Sequence, residues 1–298
     1  MTTPAVSLPC SNRSLAADEP MFATASAGAA WLMLELCGPW GSSAFLESPT
    51  VIDPALGLSI VRRAEAASMR IVAVRKHGRR DQTRRWRWFI AHTSPDGPTL
   101  VGGEVDGPAA YLDIPLDGST GEPVPAPFIA VCAHGKHDTC CAVRGRGVAA
   151  ALHAEYPDET WECSHLGGDR FAATMLVLPE GLSYGRVDSA DPLEIMRKHR
   201  EGRVDTTHLR GRTCWSHHVQ AAQHFARQDT GDDRIDAWAP LEIQVEETLA
   251  RVTLDGGDGR RLVVTVRSYL SEDTVLTMCR ATLPGSVRRF ECASMDWA

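Results

Sequence analysis

Two short stretches of the sequence concentrate the side chains that bind metals or carry thiol chemistry. The first, VCAHGKHDTCC at residues 131–141, holds three cysteines and two histidines in a chain with only nine cysteines and eleven histidines. The second, CSHLGGDRF at residues 163–171, holds Cys163, His165 and Asp169 around a pair of glycines. Thiolate and imidazole donors together suit zinc or an iron-sulfur cluster, whereas hard cations prefer oxygen ligands. The donors of the first stretch are Cys132, His134, His137, Cys140 and Cys141.

Each stretch follows a predicted strand, FIAVC at 128–132 and TWEC at 160–163, and a helix is predicted between them from about 144 to 156. If the two strands are parallel neighbours, both loops open at the same edge of the sheet. Two cysteines nine positions apart on the first loop, together with a histidine and a further donor on the second, can then surround one compact metal centre. The glycine pair at 167–168 lets the backbone approach closely.

The residue pattern alone leaves three interpretations open: metal binding, thiol redox chemistry using Cys140 and Cys141 or another pair, and incidental buried cysteines. A Cys-x-x-Cys motif, typical of zinc knuckles and thiol-disulfide oxidoreductases, does not occur in the sequence. Asp138 is predicted to cap the turn of the first loop rather than to bind metal. Cys279 and Cys292 have no companion donors nearby in the sequence and are interpreted as core or inert thiols.

The composition is that of a globular protein with a sizeable core. The chain has 298 residues, 43% of them apolar and 23% charged, enough for two domains. Its irregular, odd set of cysteines, the lack of a basic and then hydrophobic leader, and the lack of a long apolar run favour a cytoplasmic location. The net charge of -7 argues against general nucleic-acid binding. We therefore expect neither a nucleic-acid nor a membrane partner.

The chain divides into four predicted regions of an α/β fold. Residues 1–20 are polar, lack apolar periodicity and are predicted to be a flexible arm, and residues 21–118 are predicted to form an N-terminal α/β domain. A segment from 113 to 127 with four prolines and two glycines marks its end. Residues 119–230 form a second α/β domain that carries both loops, and residues 231–298 alternate as antiparallel strands. The order of strand, helix, strand and hairpin also occurs in weaker form in the first domain, which suggests a degenerate internal repeat.

The two stretches and their neighbours resemble the sucrase/ferredoxin-like family. The resemblance is carried by VCAHGKHDTCC followed by RGRG, by WECSHLGGDRFA and by LPEGLSYGRV, and CSNRSLAADEPMFATA, CGPWG and HLRGRT are also similar to family signatures. It spans the chain from about Cys10 to Gln228. It implies that residues 119–230 form a thioredoxin-like ferredoxin domain with a [2Fe-2S] cluster as cofactor. The chain would then be a non-enzymatic carrier that passes single electrons between unknown redox protein partners.

Residue-by-residue matching to the family implies Cys132, Cys141 and His165 as cluster ligands, with His134, His137 and Cys140 shaping the loop. The fourth position, a histidine in the best-understood members, falls on Asp169. A carboxylate is an uncommon ligand for iron bridged by sulfides, so Cys163 and solvent are alternatives. A thiol-disulfide oxidoreductase and a structural zinc protein are the alternative functions. Five arginines are candidates for bonding to the cluster surroundings or docking an acidic partner: Arg144, Arg146, Arg170, Arg210 and Arg212.

Overall fold

The computed structural model describes residues 8–78, 85–125, 127–257 and 259–298. The first half holds α1 (Cys10–Ala16), β1 (Ala30–Glu35), α2 (Pro54–Ala66), β2 (Arg70–Arg75), β3 (Trp86–His92), β4 (Thr99–Val105) and β5 (Glu122–Pro123). The middle holds β6 (Phe128–Cys132), α3 (Thr139–Glu155), β7 (Thr160–Cys163), β8 (Met175–Leu178), β9 (Leu182–Tyr184), α4 (Pro192–Arg200), β10 (Leu209–Arg212) and α5 (His217–Thr230). The C-terminal part holds β11 (Pro240–Glu246), β12 (Leu249–Asp255), β13 (Arg261–Leu270) and β14 (Arg288–Trp297). Among the described helices, none has the length and apolar character that crossing a bilayer requires.

Ten strands form one mixed sheet in the order β10-β9-β8-β6-β7-β2-β1-β3-β4-β5. The order of pairings is the same on both sides of the centre. In each half, a parallel pair joined by a helix continues outward into three antiparallel strands. The two halves meet where β2 and β7 pair antiparallel, with Val74 opposite Cys163. The predicted α/β class is confirmed, and the repeated topology supports the predicted internal duplication.

The core lies on both faces of this sheet. On one face, Trp31 and Met33 of the first half pack with Phe128 and Trp161 of the second, so the halves share a core. On the other face each half is covered by its own crossover helix. α3 packs on β6 and α2 packs on β1. Burial on both faces explains why FIAVC is an uninterrupted apolar run, as expected for a central strand with a parallel neighbour.

The C-terminal part forms a separate antiparallel sheet in the order β11-β12-β13-β14. Three of these strands follow the predicted alternation, and β11 is an additional edge strand. Val219 and Ala222 of α5 pack against Val252 and Val264 of this sheet. The amphipathic helix therefore ties the second sheet to the first.

Two local differences from the sequence predictions matter for the site. Within the predicted flexible arm, residues 1–7 lie outside the described residues, but residues 10–16 form α1, with Cys10 and Ser14 buried. A helix of seven residues is too short to be stable alone, so tertiary packing holds it and the local sequence carries little signal. The second difference is that α3 begins at Thr139 instead of about 144. Cys140 and Cys141 therefore lie in the first turn of a helix.

Candidate metal centre

The strands β6 and β7 bring the two donor stretches together. They pair in parallel with Cys132 directly opposite Cys163. Beyond the last strand residue, the Ala133 backbone N–H still donates to the Cys163 carbonyl at 3.1 Å. Both loops therefore leave the sheet at the same edge, as the sequence predicts.

The start of α3 places Cys141 against the end of β6. The Asp138 side chain accepts a hydrogen bond from the Cys140 backbone N–H at 2.8 Å, which is the predicted cap. One turn later, α3 touches the end of β6 at Gly145. A Cβ on Gly145 would lie 1.9 Å from the Cys132 carbonyl oxygen, so only glycine allows this approach.

The four residues predicted as ligands form one contiguous group, which we call the edge group: Cys132, Cys141, His165 and Asp169. Cys132 packs with Cys141, and both Cys141 and His165 lie close enough to lower the pKa of the Cys132 thiol. The Cys141 thiol donates to Asp169 Oδ1 at 3.2 Å, and His165 Nδ1 lies 2.9 Å from the same oxygen. Both cysteines are fully buried and the Asp169 side chain is 3% exposed, whereas the His165 side chain is 30% exposed. The thiols thus face the interior and the imidazole faces the surface.

The contacts within the edge group set its charges. The neighbouring Cys141 thiol lowers the pKa of the Cys132 thiol to about 5, against the opposing effect of burial, and His165 adds to the lowering. Burial lowers the pKa of His165, but its contacts with Asp169 and Cys132 outweigh burial and raise that pKa to about 9. Burial alone would raise the pKa of Asp169, yet the contact with His165 holds it below its usual value. Without a metal, the group thus combines a thiolate and a carboxylate with a protonated imidazolium at neutral pH.

His137 is a further donor at the site, to which the sequence interpretation assigned only a loop-shaping role. Its ring stacks on His165 with centroids 3.9 Å apart, and its Nε2 lies 3.8 Å from Asp169 Oδ2. This Nε2 is buried and has no hydrogen-bond partner among the described residues. The donor atoms of His137, His165 and Asp169 lie within 4.8 Å of one another. The position of His137 in the donor-rich loop is the sequence signal for a donor role. Its stacking on His165 depends on the fold.

Cys163, the alternative fourth ligand, lies beside the edge group but faces the apolar core. It is fully buried and packs in the shared core with Cys132 and Leu166. Burial raises the pKa of its thiol well above the usual value, with the nearby Cys132 acting in the same direction. No hydrogen bond links its sulfur to another of the described residues. The structure therefore brings together the four residues chosen from the sequence, and Cys163 packs beside Cys132 without a hydrogen bond to any of them.

Arg210 holds the second loop in place through a hydrogen bond to its backbone. Its side chain is fully buried and donates to the Gly167 carbonyl at 2.9 Å and to Thr24 Oγ1 at 3.0 Å. Gly168 has a φ of +84°, and a Cβ there would lie 2.5 Å from Arg210 Nη2. Burial lowers the pKa of Arg210 to about 10, while Asp169 and Cys141 oppose this change, so the guanidinium remains charged at neutral pH. This buried cation explains why the HLRGRT stretch belongs to the site.

The N-terminal half covers the first loop. His134 Nε2 donates to the Gly41 carbonyl at 2.6 Å, and its ring meets the Trp40 ring edge-on at 5.5 Å. Burial lowers the pKa of His134 to about 4, so the ring is neutral. His137 Nδ1 lies 3.3 Å from the Ser42 carbonyl. The CGPWG loop thus positions His134, and the next residue, Ser42, contacts His137.

The arginines near the site differ in whether they are already bonded within the protein or exposed to a partner. Arg170 pairs with Glu19 at 2.8 Å, and Arg212 donates to the Glu180 carbonyl at 2.7 Å. Arg144 donates to the Ser11 hydroxyl at 3.0 Å. Arg146 is exposed, and with Lys136, Arg75 and His134 it lines a groove of about 520 Å³. A basic groove therefore lies beside the first donor loop, at His134 and Lys136.

The donor set fits a metal centre that takes thiolate and imidazole ligands. The Asp169 carboxylate contacts both the Cys141 thiol and the His165 imidazole, and Cys132 packs beside Cys141. The buried His137 Nε2 lacks a hydrogen-bond partner among the described residues. The sequence profile of the sucrase/ferredoxin-like family matches residues 30–211, a range that contains both loops. No curated protein and no solved structure matches the chain significantly.

Proposed function

The chain belongs to the sucrase/ferredoxin-like family, and from that premise we propose that it is an electron-transfer protein with a [2Fe-2S] cluster of mixed Cys/His ligation. Cys132, Cys141 and His165 would be three of the ligands and Asp169 the fourth. The observation that carries the proposal is that these side chains, from two loops, form one contiguous group at a sheet edge. Cys132 contacts Cys141 and His165 contacts Asp169, a pairing that suits two irons with two protein ligands each.

When bound, such a cluster accepts and releases one electron at a time. The protein's own residues decide where this exchange takes place. The buried Cys132 and Cys141 lie against the apolar Leu166, which keeps water from the thiolates. The side chains of His165 and His137, 30% and 20% exposed, mark the face where partners approach. One electron from a reduced donor protein enters at this face, and the same electron leaves to an oxidised acceptor protein.

The charge around this face favours an acidic partner. Lys136 and Arg146 are exposed and line the groove beside the donor loop, where Arg75 is already paired with Glu162. Complementary charge speeds the encounter of two redox proteins more than it strengthens their complex. We therefore expect electron exchange with an acidic partner protein to slow as the salt concentration rises.

Thiol-disulfide exchange is the second candidate function, since Cys132 and Cys141 are in contact and the pKa of Cys132 is low. However, both sulfurs are fully buried. A substrate disulfide must reach the attacking thiolate, so this burial favours metal binding over exchange with another protein. A structural zinc site would use the same donors and differs only in the ion bound.

Anaerobic purification tests the proposal. A reddish-brown protein with about two irons and two sulfides per chain would support it, since a [2Fe-2S] cluster requires that stoichiometry. The matched control is Cys132→Ser, which should be colourless and free of iron. An iron-free native chain with a zinc ion in the edge group would contradict the proposal, and so would a native chain with a Cys132–Cys141 disulfide.

A further inference from the structure

A second group of thiols lies on the other side of the first turn of α3. The Cys140 sulfur is 3.7 Å from that of Cys10 and 3.2 Å from that of Cys279, and the sulfurs of Cys10 and Cys279 are 3.5 Å apart. Asp138 Oδ2 lies 3.9 Å from the Cys10 sulfur. All four donor atoms lie within 4.8 Å of one another. We call these residues the clasp group, and we propose that they bind one Zn²⁺ ion, separately from the edge group.

The spacing of the sulfurs matches a tetrahedral thiolate site. With Zn–S bonds of about 2.3 Å, two thiolates on one tetrahedral zinc lie roughly 3.8 Å apart. The three separations in the clasp group, 3.2, 3.5 and 3.7 Å, are close to this value. Three thiols also cannot all be satisfied by disulfides, because any one bond leaves a third sulfur beside it. One cation satisfies all three.

Asp138 holds the clasp group together and supplies the fourth donor. Its Oδ1 accepts from the Cys140 backbone N–H at 2.8 Å, and its Oδ2 accepts from the Cys279 backbone N–H at 2.6 Å. A carboxylate oxygen has two lone pairs, so Oδ2 can accept this hydrogen bond and still bind the ion. The prediction that Cys279 lacks companions is therefore wrong: the fold brings it to Cys10 and Cys140.

The surroundings of the clasp group also suit thiolate ligands. The Ser11 hydroxyl donates to the Cys140 sulfur at 3.1 Å, and Arg144 Nε donates to that hydroxyl at 3.0 Å. This arrangement directs a positive charge toward the sulfur through one hydroxyl, as partners of metal ligands commonly do. Ala172 packs against the buried cysteines. A cavity of about 530 Å³ beside Cys10 gives the ion a way in.

The bound ion would join three distant parts of the chain. Cys10 lies on α1, Cys140 on the first turn of α3, and Cys279 in the connection between β13 and β14. Cys140 and Cys279 are 139 positions apart, and closing this long loop restricts the unfolded chain, so the site should stabilise the fold. It would also fix the helical turn that presents Cys141 to the edge group.

Metal analysis of the full chain, expressed with zinc in the medium, tests this inference. We expect about one zinc per chain in the native protein and in the control Cys292→Ser, whose cysteine is exposed and outside the clasp group. Cys279→Ser should lose that zinc and keep its iron, while Cys132→Ser should lose its iron and keep the zinc. Failure of the iron result alone would overturn the proposed function and leave the clasp site standing.

Cobalt binding provides a second readout that does not depend on the folding of Cys279→Ser. Cys132→Ser lacks the colour of an iron-sulfur cluster, so Co²⁺ added after chelation of zinc should give intense thiolate-to-cobalt absorption at one equivalent. Adding Asp138→Asn to that variant should weaken Co²⁺ binding by about tenfold or more, by loss of a charged donor. Three results would overturn the inference: a native chain without zinc, zinc retained by Cys279→Ser, or a disulfide within the clasp group of the native protein.

Discussion

The edge group and the clasp group share one turn of helix, yet they differ in almost every physical respect. Neighbouring residues, Cys141 and Cys140, point into one group each. The edge group mixes thiols with a carboxylate and a part-exposed imidazole, whereas the clasp group is three thiols and a buried carboxylate. The first combination suits a centre that exchanges electrons with a partner at its surface. The second suits an ion that is bound once and kept. Cysteine alone therefore does not reveal the chemistry, and the neighbouring donors and their exposure do.

The largest expected effect comes from replacing each of the two adjacent cysteines with serine in turn. Cys141→Ser should lose essentially all iron and keep its zinc, whereas Cys140→Ser should lose its zinc and keep most of its iron. The reason is that each sulfur contacts only one of the two groups. Iron, sulfide and zinc per chain are measured on both variants side by side. The comparison breaks down if the two variants lose the same metal.

The fourth ligand of the edge group is tested by a second pair of variants. Asp169→Ala should reduce iron retention about tenfold or more, because it removes a donor that contacts both Cys141 and His165. Cys163→Ala should keep its iron and its visible spectrum, since its sulfur faces the apolar core. Iron content after passage through a chelating column measures the difference. Iron loss in Cys163→Ala with none in Asp169→Ala would move the ligand to Cys163.

The support under the second loop predicts a stability difference between two glycines. Gly168→Ala forces a left-handed backbone on alanine and drives its Cβ into Arg210, so we expect a loss of about 3 kcal/mol in the free energy of unfolding. Gly202 is the matched control, with a φ of +74° and no heavy atom near its missing Cβ. Gly202→Ala should cost only about 1 kcal/mol. Urea denaturation measures both, and equal losses would show that Arg210 does not constrain the loop.

The smallest expected effect is a shift in reduction potential. Asp169→His replaces a carboxylate with a neutral imidazole, so the reduced site carries one less negative charge and the midpoint should rise by on the order of 100 mV. A redox titration followed by visible absorption measures it, with the native chain as the reference. An unchanged midpoint in an iron-loaded variant would show that Asp169 does not ligate the cluster.

The sequence predicts the elements of the edge group well because its information is local. FIAVC and TWEC are apolar runs typical of buried strands, and parallel neighbours open their loops at one edge of the sheet, so Cys132 and His165 had to be close. The stacking of His137 on His165 could not be predicted, because it depends on a contact with Ser42, just after the CGPWG loop.

The clasp group could not be predicted from the sequence. Its hydrogen-bonded sulfurs come from positions as far as 269 residues apart, and no local pattern links them. α1 carries no amphipathic repeat and forms because Cys10 and Ser11 pack against α3. The predicted start of α3 is too late because a cysteine-rich stretch resembles a loop, although Asp138 is a good N-cap. Long-range packing, rather than propensity, decides these features.

The most direct test of the central claim is electron paramagnetic resonance of the anaerobically purified chain after reduction by one electron. The proposed cluster predicts a signal that integrates to about one spin per chain, as a reduced [2Fe-2S] centre requires. It also predicts hyperfine coupling to nitrogen, because His165 would ligate an iron. A chain with no such spin, or with a spin that shows no nitrogen coupling, would contradict mixed Cys/His ligation of the edge group.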